Sequence, residues 1–124
     1  IDAIYQQDWK LVAQLAEKDS MCLHGVSMTT NSPEPLIAWE PQNILLFQMC
    51  HQLRKKNIPV YFSTDTGPST VFLTHSDYQD EVMHNISLLN LGLDIIPGKI
   101  AGPAKLLPSS DVLTDLDIVE QSSA

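Results

Sequence analysis

The chain has 124 residues, 44% hydrophobic and 18% charged, with a formal net charge of -8. That length suits one domain with a single core, and the balance excludes disordered and collagen-like classes. The acidic excess argues against binding a phosphate backbone, so no nucleic-acid partner is expected.

Apolar runs such as ILLF at 44–47 fall far short of the roughly 18 residues a membrane span requires, so no membrane partner is expected either. No charged-then-apolar leader opens the sequence, and a cytoplasmic location follows as an expectation. The first residue is Ile rather than Met, as in a processed protein or a piece of a longer one. Cys22 and Cys50 lack metal-ligand spacing and make no disulfide framework, so reduced thiols are expected.

Taken in chain order, Ile4, Leu11, Val12, Leu15 and Ala16 recur with the 3.6-residue period of an amphipathic helix over 2–18. Asp19 or Ser20 can cap a second helix over 20–30, with Leu23, Val26 and Met28 facing inward. Pro33 and Pro35 forbid its continuation, and LIAW at 36–39 is a short extended segment. Pro41 suits the first turn of a third helix over 41–57, whose C-terminal end gathers basic residues in favour of the helix dipole.

Residues 58–64 (IPVYFST) and 69–75 (STVFLTH) are rich in β-branched and aromatic side chains and form a pair of strands. A fourth helix over 77–91 is ended by Gly92 in the C′ position, and LDIIPGKI at 93–100 is a last strand, with Pro97 placing it at an edge or at a bulge. This order gives an α+β two-layer sandwich, with helices packed on a small, largely antiparallel sheet. The domain spans 1–104. Residues 105–124 form a tail whose acidic run, SSDVLTDLDIVEQ, is a solvated segment.

One stretch, STDTGPST at 63–70, resists a reading as plain packing. Asp65 stands among hydroxyls just before a Gly-Pro turn. It either hydrogen-bonds its own turn backbone, or presents a carboxylate beside a glycine that lets a ligand approach and takes a proton from it. Spacing alone does not choose. Ser20 and His24 share a helical face, which permits a nucleophilic pair or simply a cap and a packed histidine. The four histidines show no HExxH pattern, and no Walker A, GxGxxG or GxSxG is present, so no metal ligands are assigned.

Three segments in order carry a resemblance: AIYQQDWKLVAQLAEKDSMCLHG, SPEPLIAW and VYFSTDTGPSTVFLT. Together they resemble the C-terminal half of mevalonate diphosphate decarboxylase, with its DS…HA helix, its PP…Y segment and its YTFDAGPN hairpin. The matching residues are Asp19, Ser20 and His24, then Pro33 and Pro35, then Asp65, Gly67 and Pro68. KIAGP at 99–103 is similar to the family's terminal VGPGP. Thr66, Ser69 and Gly25 depart from the usual Ala, Asn and Ala.

The resemblance implies the C-terminal domain of a GHMP-superfamily enzyme, whose N-terminal domain in the same chain carries the phosphate-binding loop. That enzyme uses ATP and Mg²⁺, bound mainly by the N-terminal domain, to phosphorylate the 3-hydroxyl of mevalonate 5-diphosphate. Loss of phosphate and CO₂ then gives isopentenyl diphosphate in the mevalonate route to isoprenoids and sterols. By the same resemblance Asp65 is the catalytic residue that deprotonates the hydroxyl, and Ser20, His24, Thr66 and Gly67 are substrate-binding. A homodimer is expected, and the 124 residues alone are expected to be inactive. The rival readings are a decarboxylase of the monophosphate, a mevalonate-type kinase, or a non-catalytic ligand-binding or dimerisation domain of the same fold.

Overall fold

The structure, a computed structural model, describes residues 1–31, 34–106 and 108. Pro33 and nearly all of the acidic tail lie outside the described residues. A short helix α1 (Asp2–Tyr5) is followed by Gln7 in a left-handed conformation, φ 56°. Asp8 then caps α2 (Trp9–Thr29), its carboxylate accepting from the Leu11 N–H at 3.0 Å. Next come α3 (Pro41–Lys55) and the antiparallel hairpin β1 (Val60–Thr64) and β2 (Thr70–Thr74), paired from Val60↔Thr74 to Thr64↔Thr70. A single 3₁₀ turn (Ser76–Tyr78) leads into α4 (Gln79–Leu88). The fold is α+β, helices on a two-stranded antiparallel sheet among the described residues. No described helix is long and apolar enough to cross a membrane.

The core lies between α3, α4 and β1. Leu46, Phe47, Met49, Cys50 and Leu53 of α3 meet Ile58, Val60 and Phe62 from β1 and its approach, with Val82 and Ile86 of α4. Each such side chain, fully buried, contributes about 1.5–3 kcal/mol, so these contacts fix the strand against the helices. Phe47 stacks on Phe62 with ring centroids 3.9 Å apart, and Trp39 meets Phe47 edge-on at 5.1 Å.

The α2 region differs from the sequence expectation in two ways. The two helices expected over 2–18 and 20–30 are instead the short α1 and one continuous α2, with Asp19 and Ser20 in mid-helix rather than at a cap. The inward face is also a different one. Leu11, Leu15, Leu23 and Val26 are exposed, whereas Ala13, Ser20 and His24 are buried. The cause is the outer edge of β1, which among the described residues has no strand beside it and whose backbone groups need polar partners. Ser20 Oγ accepts from Thr64 N–H at 3.0 Å, and Glu17 Oε2 accepts from Phe62 N–H at 3.2 Å. Arg54 donates to the Val60 carbonyl at 2.8 Å while forking onto both oxygens of Glu17. Polar side chains thus occupy the place of a third strand.

The C-terminal half needs two corrections. Helix α4 ends at Leu88, and Asn90 (φ 50°) takes the left-handed position beyond it that had been expected at Gly92. Gly92 is also left-handed, φ 65°, two residues later. Residues 93–100 form no strand; Ile96 and Ile100 are 90% and 98% exposed. Pro97 has no N–H to give to a ladder, which works against pairing through this segment. LIAW likewise joins no sheet, although Leu36 N–H bonds the Ser27 carbonyl and Trp39 turns toward the core.

Candidate functional site

The hairpin tip is a five-residue loop, Asp65–Ser69, between the paired Thr64 and Thr70. Asp65 and Thr66 are exposed and Gly67 is half-buried. No hydrogen bond or ion pair reaches the Asp65 carboxylate among the described residues, so the acid does not hold its own turn together. The turn-holding role that sequence alone allowed is filled by other residues. Gly67 does not carry a positive φ, and a Cβ placed there meets nothing within 4 Å. The fold itself therefore does not demand glycine at that position.

Three anchors fix the hairpin around its tip. On the α2 side, Ser20, 4% exposed, spends its hydroxyl on the Thr64 N–H and on Ser63 Oγ at 3.2 Å. From the segment before α3, Trp39 Nε1–H donates to Thr64 Oγ1 at 3.3 Å. On the α3 side, Asn43 Nδ2 donates to the Pro68 carbonyl at 2.6 Å and to Thr70 Oγ1 at 2.9 Å. Its Oδ1 accepts from the Glu40 N–H at 2.8 Å, which pins the amide to the start of the helix.

His24 lies one helical turn beyond Ser20 and is 3% exposed. Its ring packs on Trp39 with centroids 4.5 Å apart, and its buried Nε2 has no hydrogen-bond partner among the described residues. Of the five residues singled out in the sequence, Asp65, Thr66 and Gly67 share the exposed tip. Ser20 and His24 lie behind it, in the wall that supports the end of β1. Sequence reasoning missed Trp39 and Asn43. The one available signal for Asn43 was a short polar side chain in the first turn behind Pro41, a position where such residues ordinarily serve the helix alone.

Among the described residues no group of three or more His, Cys, Asp or Glu side chains could hold a metal ion.

The tip thus presents an exposed acid, with a glycine two residues on that the fold does not require, on a hairpin anchored at Thr64, Pro68 and Thr70. The family model described as the mevalonate 5-diphosphate decarboxylase C-terminal domain matches residues 1–96. The chain belongs to that family. It is 34% identical over 113 residues to the phosphomevalonate decarboxylase of Haloferax volcanii, covering 90% of this chain and 34% of that protein. The chain thus spans about a third of the relative it matches.

Solved structures share the fold. The mevalonate diphosphate decarboxylase from Enterococcus faecalis superposes with a TM-score of 0.64 at 24% identity, covering 70% of this chain and 26% of that one. A structure described as MDDEF in complex with MVAPP, AMPPCP and magnesium gives a TM-score of 0.65 at 24% identity, over 70% and 26% of the two chains.

Proposed function

We propose that this chain is the C-terminal domain of an ATP-dependent decarboxylase of phosphorylated mevalonate, and that Asp65 is its general base. The observation that carries the reading is the Asp65 carboxylate, exposed and without an internal partner on a hairpin fixed from both sides. A tertiary alcohol is a weak nucleophile. A carboxylate within hydrogen-bond reach orients the 3-hydroxyl and takes its proton, an effect of about 10²–10⁴-fold. Once that proton has passed from the exposed Asp65 to solvent, the restored negative charge stabilises the positive character that develops at C3 as the phosphate departs. Thr66 and Gly67 flank the substrate, with the missing side chain of Gly67 leaving room for it. Ser20 and His24 complete the wall behind. ATP and Mg²⁺ belong to an N-terminal domain of the same chain, so the 124 residues alone do not turn over. The protein works in the cytoplasm as a homodimer.

Support for the cofactor comes from the E. faecalis enzyme, whose ATP binding is mediated by mevalonate diphosphate, and from the AMPPCP and magnesium of the second neighbour. The substrate has two readings. The family description favours mevalonate 5-diphosphate. The 34% identity to a phosphomevalonate decarboxylase favours the 5-monophosphate. Release of CO₂ by the full-length protein, measured with each substrate in parallel, chooses between them.

The test of Asp65 is Asp65→Asn in the full-length protein. It keeps the shape and removes both the base and the charge. The expected result is a fall in single-turnover rate of about 10²–10⁴-fold, with substrate binding and melting temperature little changed. A rate near that of the unmodified enzyme defeats the mechanism.

A further inference from the structure

We propose that Asn43, on a different element from the proposed base, is a positioning residue that holds Asp65 in its reactive placement. The inference rests on the reading of Asp65 as the base. Two of the three anchors, Ser20 and Trp39, end at Thr64, before the loop begins. Beyond Thr64 the loop runs through Asp65, Thr66 and Gly67, all without side-chain hydrogen bonds among the described residues. The next fixed point is the Pro68 carbonyl, and the group that fixes it is Asn43 Nδ2 at 2.6 Å. Asp65 is therefore suspended between two clamps, one at Thr64 and one at Pro68.

The orientation of Asn43 is itself over-determined. Its side chain is buried, and the residue is 2% exposed. With Oδ1 held by the Glu40 N–H, the planar amide can aim its two N–H bonds only at Pro68 and Thr70. A first-turn residue serving the helix alone needs one of these three bonds. The other two tie the N-terminus of α3, a rigid element packed through Leu46 and Phe47 into the core, to the far side of the loop. Proline at 68 has no N–H, so its carbonyl is the backbone group on that residue open to a tether. Supports of this kind matter because a misplacement of about 1 Å at the reacting atoms can cost about 10²-fold in rate.

Steady-state and single-turnover kinetics of the full-length protein test the proposal, with Asn43→Ala, Asn43→Asp, Asp65→Asn and the Asn43→Ala/Asp65→Asn double variant. Asn43→Asp keeps an oxygen for the Glu40 N–H but has no donor for the Pro68 carbonyl, so it separates helix capping from loop tethering and serves if the alanine variant fails to fold. The expected result is a kcat lowered about 10- to 10²-fold in both single Asn43 variants, with KM changed less than about threefold. On the Asp65→Asn background, Asn43→Ala then costs less than about threefold more, because the group it positions is already gone. If Asn43→Ala and Asn43→Asp keep kcat within about twofold of the unmodified protein while Asp65→Asn is crippled, the positioning role is overturned and the base survives. Multiplicative losses in the double variant overturn it as well, since they mark a general structural effect. A near-normal rate for Asp65→Asn removes the base, and this inference with it.

Discussion

At the scale of single residues, the hairpin tip separates what the fold needs from what a ligand needs. Gly67 illustrates the difference. Its backbone lies outside the left-handed region, and a Cβ meets nothing within 4 Å, so neither strain nor packing asks for glycine. Gly67→Ala should therefore leave stability within about 0.5 kcal/mol of the unmodified protein. If the tip faces substrate, the added methyl lowers kcat/KM by at least about tenfold at an unchanged melting temperature. Equal activity in the two proteins removes Gly67 from the substrate wall. His24 presents the converse case. Its buried Nε2 has no partner among the described residues, and its ring is held by packing on Trp39.

At the scale of elements, α2 behaves less like an amphipathic helix on a core than like a polar cover for a strand edge. Its Glu17 and Ser20 meet the Phe62 and Thr64 N–H groups, while Leu11, Leu15, Leu23 and Val26 are exposed. Removing one cover exposes the cost of an orphaned donor. Ser20→Ala should destabilise the 124-residue chain by about 1–3 kcal/mol in urea unfolding. Glu17→Ala should cost more, about 2–4 kcal/mol, because it orphans the Phe62 N–H and leaves the Arg54 guanidinium only its bond to the Val60 carbonyl, without a counter-charge. That figure lies below the full penalty for a buried pair, since the Arg54 and Glu17 side chains keep 24% and 15% exposure. Equal losses in the two variants would show that the ion pair adds nothing to the edge cover.

At the scale of the whole molecule, Cys50 reports on the integrity of the core. It is wholly buried among α3, α4 and β1, and burial pushes its thiol from 9.0 up to about 12, with Arg54 pulling the other way. Because the folded thiol holds its proton more tightly than the unfolded one, the associated stability is complete below pH 9 and is lost as pH rises toward about 12. Unfolding midpoints should thus fall across that window. At pH 8 a disulfide exchange reagent should modify the exposed Cys22 promptly and reach Cys50 only on unfolding. Prompt modification of both thiols in the folded chain would contradict the packing described here.

Much of this molecule was legible without coordinates. Pro41 and the basic end of α3, the β-branched runs of the hairpin and the Gly-Pro turn each act through local backbone chemistry, and each element formed where that chemistry placed it. The DS…H and DTGP segments likewise carried the family, which the match over 1–96 shows. Other features were decided only by tertiary structure. Leu11 and Leu15 of the apolar period in α2 lie exposed, whereas Glu17 and Ser20 supply the hydrogen-bond acceptors that the strand edge beside the helix needs. The last expected strand did not form, since β propensity in one segment does not by itself supply a pairing partner. The partners of Asn43 were also invisible in sequence, for they lie 25 and 27 residues away and are brought together only when the hairpin folds onto α3.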